Sequence, residues 1–194
     1  VSNEELKKID SHFAFGKNWA SYSRLINEPQ IEQAKQGLLK LVPAEDFKNR
    51  SFLDIGCGSG LHALAAARLG VNRIVGMDID PDSVNTAKDV LSSQNLQTPW
   101  RLENISVFDL DPKIFGTFDI VYSWGVLHHT GSMWEAVSKA AALVAPNGLF
   151  VFALYRTTYA DPFWKLEKRL YSGASAFVQK CLRNGYIGAS VSPK

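Results

Sequence analysis

From residue 51 to residue 155, apolar runs of strand length alternate with amphipathic stretches of helix length, the pattern of βαβ units that build a parallel sheet. Ser51–Ile55 reads as a buried strand, and Leu61, Leu64, Ala65 and Leu69 then share one face of a helix that Gly70 can terminate. Residues 73–77 form a second strand. Asp80 followed by Pro81 is a helix start, an N-cap acceptor with a pre-set φ behind it, and Val84, Ala87 and Leu91 supply that helix with an apolar stripe. A third strand falls within 100–107 and a fourth at 118–123, ahead of a helix with Met133, Val137, Ala140, Ala141 and Val144 at helical spacing. Pro146, Asn147 and Gly148 predict a turn into a fifth strand at 149–155. Beyond it the period changes. Asp161 can cap a helix with Phe163, Leu166 and Leu170 on one side and Lys165, Lys168 and Arg169 on others, and a short helix follows at 174–182. That amphipathic helix either docks on the protein or lies on a membrane surface. The chain therefore divides into an N-terminal helical and aromatic segment, 1–50, a core, 51–156, and a C-terminal helical segment, 157–194.

Composition narrows the classes. A chain of 194 residues, 46% hydrophobic and 21% charged, is long enough to bury one substantial core. With 21 Lys and Arg against 19 Asp and Glu the net charge is +2, so no nucleic-acid partner is expected. Cys57 and Cys181 are far apart, and Cys57 lies in a glycine-rich loop, so a disulfide is not expected and a reducing cytoplasm is. No apolar run approaches the roughly 20 residues of a membrane span, and the first residues lack a secretory pattern.

The chemistry concentrates in Asp54-Ile55-Gly56-Cys57-Gly58-Ser59-Gly60, between the first strand and the first helix of the core, where an open α/β sheet places its ligand crevice. Glycines let the backbone approach a ligand without Cβ collisions, and the following helix offers free N–H groups. A dinucleotide fingerprint would need its third glycine where Leu61 stands, which disfavours a nicotinamide oxidoreductase. Asp54 would repel a pyrophosphate but attracts a cation. Asp78, at the end of the second strand, can accept hydrogen bonds from two vicinal ribose hydroxyls, or can serve only as a turn residue before the Asp80-Pro81 cap.

These residues resemble the first two motifs of the class I S-adenosylmethionine-dependent methyltransferases, the second being Val75-Gly76-Met77-Asp78. The run 118–129, with Phe118-Asp119-Ile120-Val121 at its start and His128-His129 at its end, resembles their fourth-strand motif, and Ala145-Pro146-Asn147-Gly148 resembles the turn before their fifth strand. The similarity spans about 50–156 and is strongest to the small-molecule branch that includes ubiquinone-pathway enzymes. It implies a Rossmann-like, doubly wound, mainly parallel sheet in the order 3-2-1-4-5. Members normally add two further strands; residues 184–194 are too few for both, so these strands are either cut away or replaced by the helices after Tyr155.

The resemblance also implies S-adenosylmethionine as cofactor, S-adenosylhomocysteine as product, and a cofactor site made of Asp54, Gly56, Cys57, Gly58, Gly60, Asp78, Ile79, Ser106, Val107, Ser123 and Trp124. Where many members carry an Asp for the adenine amino group, this chain has Ser106-Val107, with Asp109 as rival acceptor or as a solvated loop residue. Neighbouring histidines rarely chelate one ion and no further ligands stand at metal-like spacing, so no metal is expected at His128-His129. His128 is either a general base in the substrate pocket or a residue that packs the following helix. Phe13, Trp19 and Tyr22 belong to an aromatic segment that either lids the site or packs on the sheet, and with His128 and Tyr155 they outline the acceptor pocket. The expected function is methyl transfer to a small acceptor, aromatic or lipid-like, by in-line displacement. The rival is a non-catalytic protein that binds S-adenosylmethionine or S-adenosylhomocysteine.

Overall fold

Every residue of β1 (Ser51–Ile55) is buried, as the middle strand of a sheet covered on both faces must be. The computed structural model describes residues 15–155; Phe13 and the helices expected at 161–182 lie outside them. β2 (Arg73–Asp78), β3 (Trp100–Asn104), β4 (Phe118–Trp124) and β5 (Val144–Ala153) complete a sheet in the order β3-β2-β1-β4-β5, with every pairing parallel. This is the expected doubly wound topology. Alternation along the strands separates two cores: Phe52, Ile74, Ile120 and Tyr122 point to one face, Leu53, Ile55, Val75, Met77 and Val121 to the other.

The first face is covered by α2 (Glu28–Leu39), which buries Ile31, Ala34 and Leu38, and by α3 (Leu61–Arg68) with Ala63, Leu64, Ala65 and Ala66. α1 (Phe15–Ser23) packs on α4 (Pro81–Ser92). The single turn α5 (Pro112–Phe115) precedes β4, and α6 (Met133–Ala141) covers the second face through Ala136 and Ala140. Asp80 caps α4, accepting from the Asp82 N–H at 2.9 Å, with Pro81 behind it. Among the described residues no helix is long and apolar enough to cross a membrane.

Three details depart from expectation. The buried stripe of α4 is Ser83, Thr86, Ala87, Val90 and Leu91, whereas Val84 is only half-buried; the helix turns two small polar side chains inward, where Thr86 Oγ1 donates to the Asp82 carbonyl. α6 stops at Ala141, which is exposed, and Val144 already belongs to β5. The turn at Pro146, Asn147 and Gly148 is a bulge inside β5: Phe118 pairs with Val144, but Ile120 pairs with Leu149. Asn147 takes a φ of 62° there, a conformation Asn tolerates better than most residues, so the strand begins earlier than the turn signal suggested.

Two contacts set the position of the crevice at the sheet's centre. Asp119 accepts from the Ser51 N–H (2.8 Å) and hydroxyl (2.7 Å), and its own N–H donates to Ser51 Oγ at 2.9 Å. This reciprocal pair joins the starts of β1 and β4, and the Ser51 donors hold the Asp119 carboxyl below its usual range. Gly60 caps α3 at φ 75°, and a Cβ there would lie 3.0 Å from Ala87 Cβ and 3.1 Å from its Cα, so α3 and α4 meet over a missing side chain.

The Asp119 pKa lies lower in the folded chain than in the unfolded one, so its contribution is fully present above about pH 4 and is lost as pH falls through the depressed value. Asp119→Asn should cost about 1 kcal/mol at neutral pH, the partly exposed site weakening the charged hydrogen bonds, and should flatten the acid limb of a urea-denaturation series. An unchanged acid limb would refute this. Gly60→Ala should destabilise the fold by about 1 to 3 kcal/mol, through left-handed strain and the Ala87 contact, and thermal melting will read it; a melting point equal to wild type would refute the packing role.

Candidate active site

The sheet reverses its winding between β1 and β4, and the loops after their C-terminal ends part to leave a crevice. A cavity of about 600 Å³ occupies it, within the size range of small-molecule sites.

Its floor is the glycine loop. The Gly56 and Cys57 N–H groups both donate to the Met77 carbonyl, at 2.7 and 2.9 Å, which folds the loop back over the end of β2. Asp78 secures that turn from the other side: one oxygen accepts from the Gly58 N–H at 3.0 Å, the other from the Asp80 N–H at 3.0 Å. Gly58 has φ 52°, and a Cβ there would lie 2.7 Å from the Trp19 ring. The space above Gly58 thus belongs to an indole of α1.

Asp54, at the end of β1, is 3% exposed, and its Oδ2 has no partner. Burial, then the neighbouring Asp78 charge, pushes its carboxyl up to about 7, against one backbone hydrogen bond from Ala63. Burial, with Asp54 and Asp78, also pushes the Cys57 thiol well up, so it stays protonated.

Of the residues expected to hold a cofactor, Asp54, Gly56, Cys57, Asp78, Ile79, Ser106, Val107 and Trp124 line the cavity. Gly58, Gly60 and Ser123 do not: Gly58 lies under Trp19, Gly60 spaces two helices, and Ser123, fully buried, donates to the Ile55 carbonyl at 3.0 Å. Their small size serves the loop and the sheet. Ser106 lines the cavity but also accepts from the Phe108 N–H at 3.3 Å as the cap of a short turn. Asp109, its rival, is exposed and away from the wall.

Of the residues expected to outline an acceptor pocket, Trp19, Tyr22 and Tyr155 line the cavity together with Trp124, and it is His129 with Thr130, not His128, that reaches it. His128 packs edge-on to Tyr155, with ring centroids 4.9 Å apart, and neither ring nitrogen finds a hydrogen-bond partner among the described residues. Both sit on the short helical turn Leu127–His129, their rings 3.9 Å apart, centroid to centroid. Burial lowers the pKa of both, and the adjacent His129 lowers that of His128 further.

Tyr122 and His62 were missed. Tyr122 shares a strand face with Trp124 and stacks on it at 6.0 Å and 6°, so the two-residue period carried its signal. His62 lies on the first turn of α3 against the Tyr122 ring; nothing in a helical pattern tells a first-turn side chain that faces a crevice from one that faces solvent.

Comparison with known proteins agrees with this geometry. A family model described as "Methyltransferase domain" matches residues 53–150, just over half of the chain. The ubiquinone biosynthesis O-methyltransferase of Rhodopseudomonas palustris is 36% identical over 101 residues, 52% of this chain and 38% of that protein. The ribosomal protein L11 methyltransferase of Tolumonas auensis is 34% identical over 115 residues, 59% of this chain and 37% of its own length. The chain spans less than half the length of these curated relatives. Among solved structures, PKMT2 from Rickettsia typhi in complex with AdoHcy superposes with a TM-score of 0.56 at 22% identity, covering 76% of this chain and 29% of that one. YcgJ from Bacillus subtilis gives 0.56 at 22%, covering 72% and 59%; both likenesses concern the fold. By its matched domain, its motifs and its sheet order, the chain belongs to the class I S-adenosylmethionine-dependent methyltransferases.

Proposed function

We propose that this protein transfers a methyl group from S-adenosylmethionine to a small, uncharged acceptor with aromatic or lipid-like character. The observation that carries the reading is the buried Asp54 carboxylate on the cavity wall with one oxygen unpartnered. Such an atom costs free energy unless a ligand completes it, and a positive group meets its chemistry.

The wall fits the cofactor. A cation about 4 Å from Asp54 gains about 4 kcal/mol at an effective dielectric of 20. That is comparable to the cost of ionising a carboxyl pushed from 3.8 to about 7, also about 4 kcal/mol. Asp78, on the cavity wall at the end of β2, takes the ribose hydroxyls as a charged acceptor, and Ser106 and Val107 take the adenine side. Bound S-adenosylmethionine supplies a methyl group already activated on a sulfonium. The protein aligns the acceptor and excludes water, an effect that reaches about 7 to 11 kcal/mol of barrier. Trp124 and Tyr155 offer flat walls to the acceptor, and Trp19 and Tyr22 cover it. His129, kept neutral by burial, takes the proton when the acceptor is a hydroxyl; this role passes to it from His128, which does not face the cavity. The relatives act on both proteins and small molecules, as their names say, and the small-molecule choice rests on the walled cavity.

Calorimetric titration should show binding of S-adenosylmethionine and S-adenosylhomocysteine and none of NAD, and labelled methyl transfer should appear with neutral aromatic acceptors. Binding without transfer to any acceptor would favour a binding protein; failure to bind either compound would overturn the reading. Because the ammonium of the cofactor favours ionised Asp54, affinity for S-adenosylhomocysteine should rise several-fold between about pH 6 and pH 8 and then level off. Burial lowers the pKa values of His62 and His129 from the usual imidazole value, the opposite direction to that of Asp54. Asp54→Asn should bind more weakly and without this dependence, and a flat wild-type profile would remove Asp54 from the ammonium site.

A further inference from the structure

The loop after β3 reaches the cavity through Ile105, Ser106 and Val107, and of these only Ser106 has a polar side chain. The carboxyls on the wall come from elsewhere, Asp54 from β1, Asp78 from β2 and Asp80 from the start of α4. Asp109, further along the loop, is exposed and off the wall. Side-chain hydrogen bonding on this side of the cavity therefore falls to one hydroxyl.

Ser106 is 2% exposed. Its Oγ accepts from the Phe108 N–H at 3.3 Å, longer than most bonds of that type, and among the described residues its hydrogen has no acceptor. A hydroxyl has one donor and two acceptor lone pairs, and its hydrogen rotates to suit the partner. With one lone pair given to Phe108, a donor and a lone pair remain for a ligand. A carboxylate in the same place would accept only, and so would select a base edge that donates.

The purine edge that meets such a group comes in two polarities. Adenine donates through its exocyclic amine and accepts at the adjacent ring nitrogen. Hypoxanthine reverses both, with an exocyclic oxygen that accepts and a ring N–H that donates. The Ser106 hydroxyl answers either base, accepting from the amine of one or donating to the oxygen of the other. The flanking side chains of Ile105 and Val107 are apolar and indifferent to the reversal. Strong rejection of a near-isostere requires a buried polar group that the wrong ligand leaves unpaired, and a rotating hydroxyl is paired by both.

We infer that Ser106 leaves this protein unable to discriminate at the exocyclic position of the purine, so that it takes S-inosyl compounds, the hypoxanthine analogues of cofactor and product, about as well as the adenosyl ones. The inference rests on the S-adenosylmethionine reading above, with Ser106 at the base.

Calorimetric titration of the full chain with S-adenosylhomocysteine and S-inosylhomocysteine, which differ only at that edge, should give dissociation constants within about threefold of each other, less than the weight of one hydrogen bond. Ser106→Asp should open a gap of about tenfold or more in favour of the adenosyl compound, because a carboxylate takes a charged bond from the amine and repels the oxygen. Ser106→Ala should weaken both compounds by a similar factor and keep the wild-type ratio, which tests the contact if the aspartate variant does not fold. A wild-type preference for S-adenosylhomocysteine larger than the stated margin would overturn the inference and leave the cofactor reading standing. So would a folded aspartate variant with the wild-type ratio, or an alanine variant that binds both compounds as wild type does. If wild type binds neither compound, the cofactor reading itself falls, and this inference with it.

Discussion

The site depends on one carboxylate that has little freedom of its own. Asp78 sits at the end of β2, and its two oxygens take the Gly58 N–H from the glycine loop and the Asp80 N–H from the start of α4. Strand, loop and helix start are thereby held to one side chain, and the loop amides of Gly56 and Cys57 close on the Met77 carbonyl next to it. Charged hydrogen bonds of this kind are worth more than neutral ones, so they contribute to the loop's shape. Any role of Asp78 toward ribose is added to that structural role, and a substitution there disturbs both.

Asp54 illustrates the opposite balance. The middle of a doubly covered parallel sheet is a poor place for a charge, and the carboxyl responds with a pKa near 7. The sheet tolerates it because one backbone N–H of α3 answers it and because its other oxygen borders a cavity. Its neighbours Cys57 and Tyr122 are driven toward their neutral forms by the same burial and the same charge. The wall thus carries the carboxyls of Asp54, Asp78 and Asp80 beside a neutral thiol and phenol, a suitable distribution for a ligand that is cationic at one end.

The aromatic part of the wall is built on different terms. Trp19 and Tyr22 come from α1, Trp124 from the end of β4, and Tyr155 from beyond β5. Rings from separate elements line one cavity, with α1 held against α4. Trp19 also fills the space over Gly58, so a glycine that could have opened the loop to a ligand instead admits an indole. The aromatic rings of α1 and the glycine loop are therefore in direct contact.

Local rules carried most of the fold and part of the site. The apolar runs at Ser51–Ile55 and Phe118–Trp124 report burial on both sheet faces, and the Asp80-Pro81 cap is a short-range interaction among adjacent residues, so each was legible in the sequence. The glycine loop, Asp54 and Asp78 were legible because their spacing is set by a single β-α-β unit. Direction of side chains across elements was not. Whether Gly60 meets a ligand or Ala87, whether His128 or His129 faces the cavity, and whether Ser123 points to a cofactor or to the Ile55 carbonyl depend on how helices and strands distant in sequence pack. The sequence by itself determined the order of elements and the chemistry of the loop, since those follow from interactions between near neighbours. The tertiary structure alone decided which glycines give room to protein rather than ligand, and which histidines reach the crevice, because those outcomes depend on contacts that exist only after the sheet is assembled.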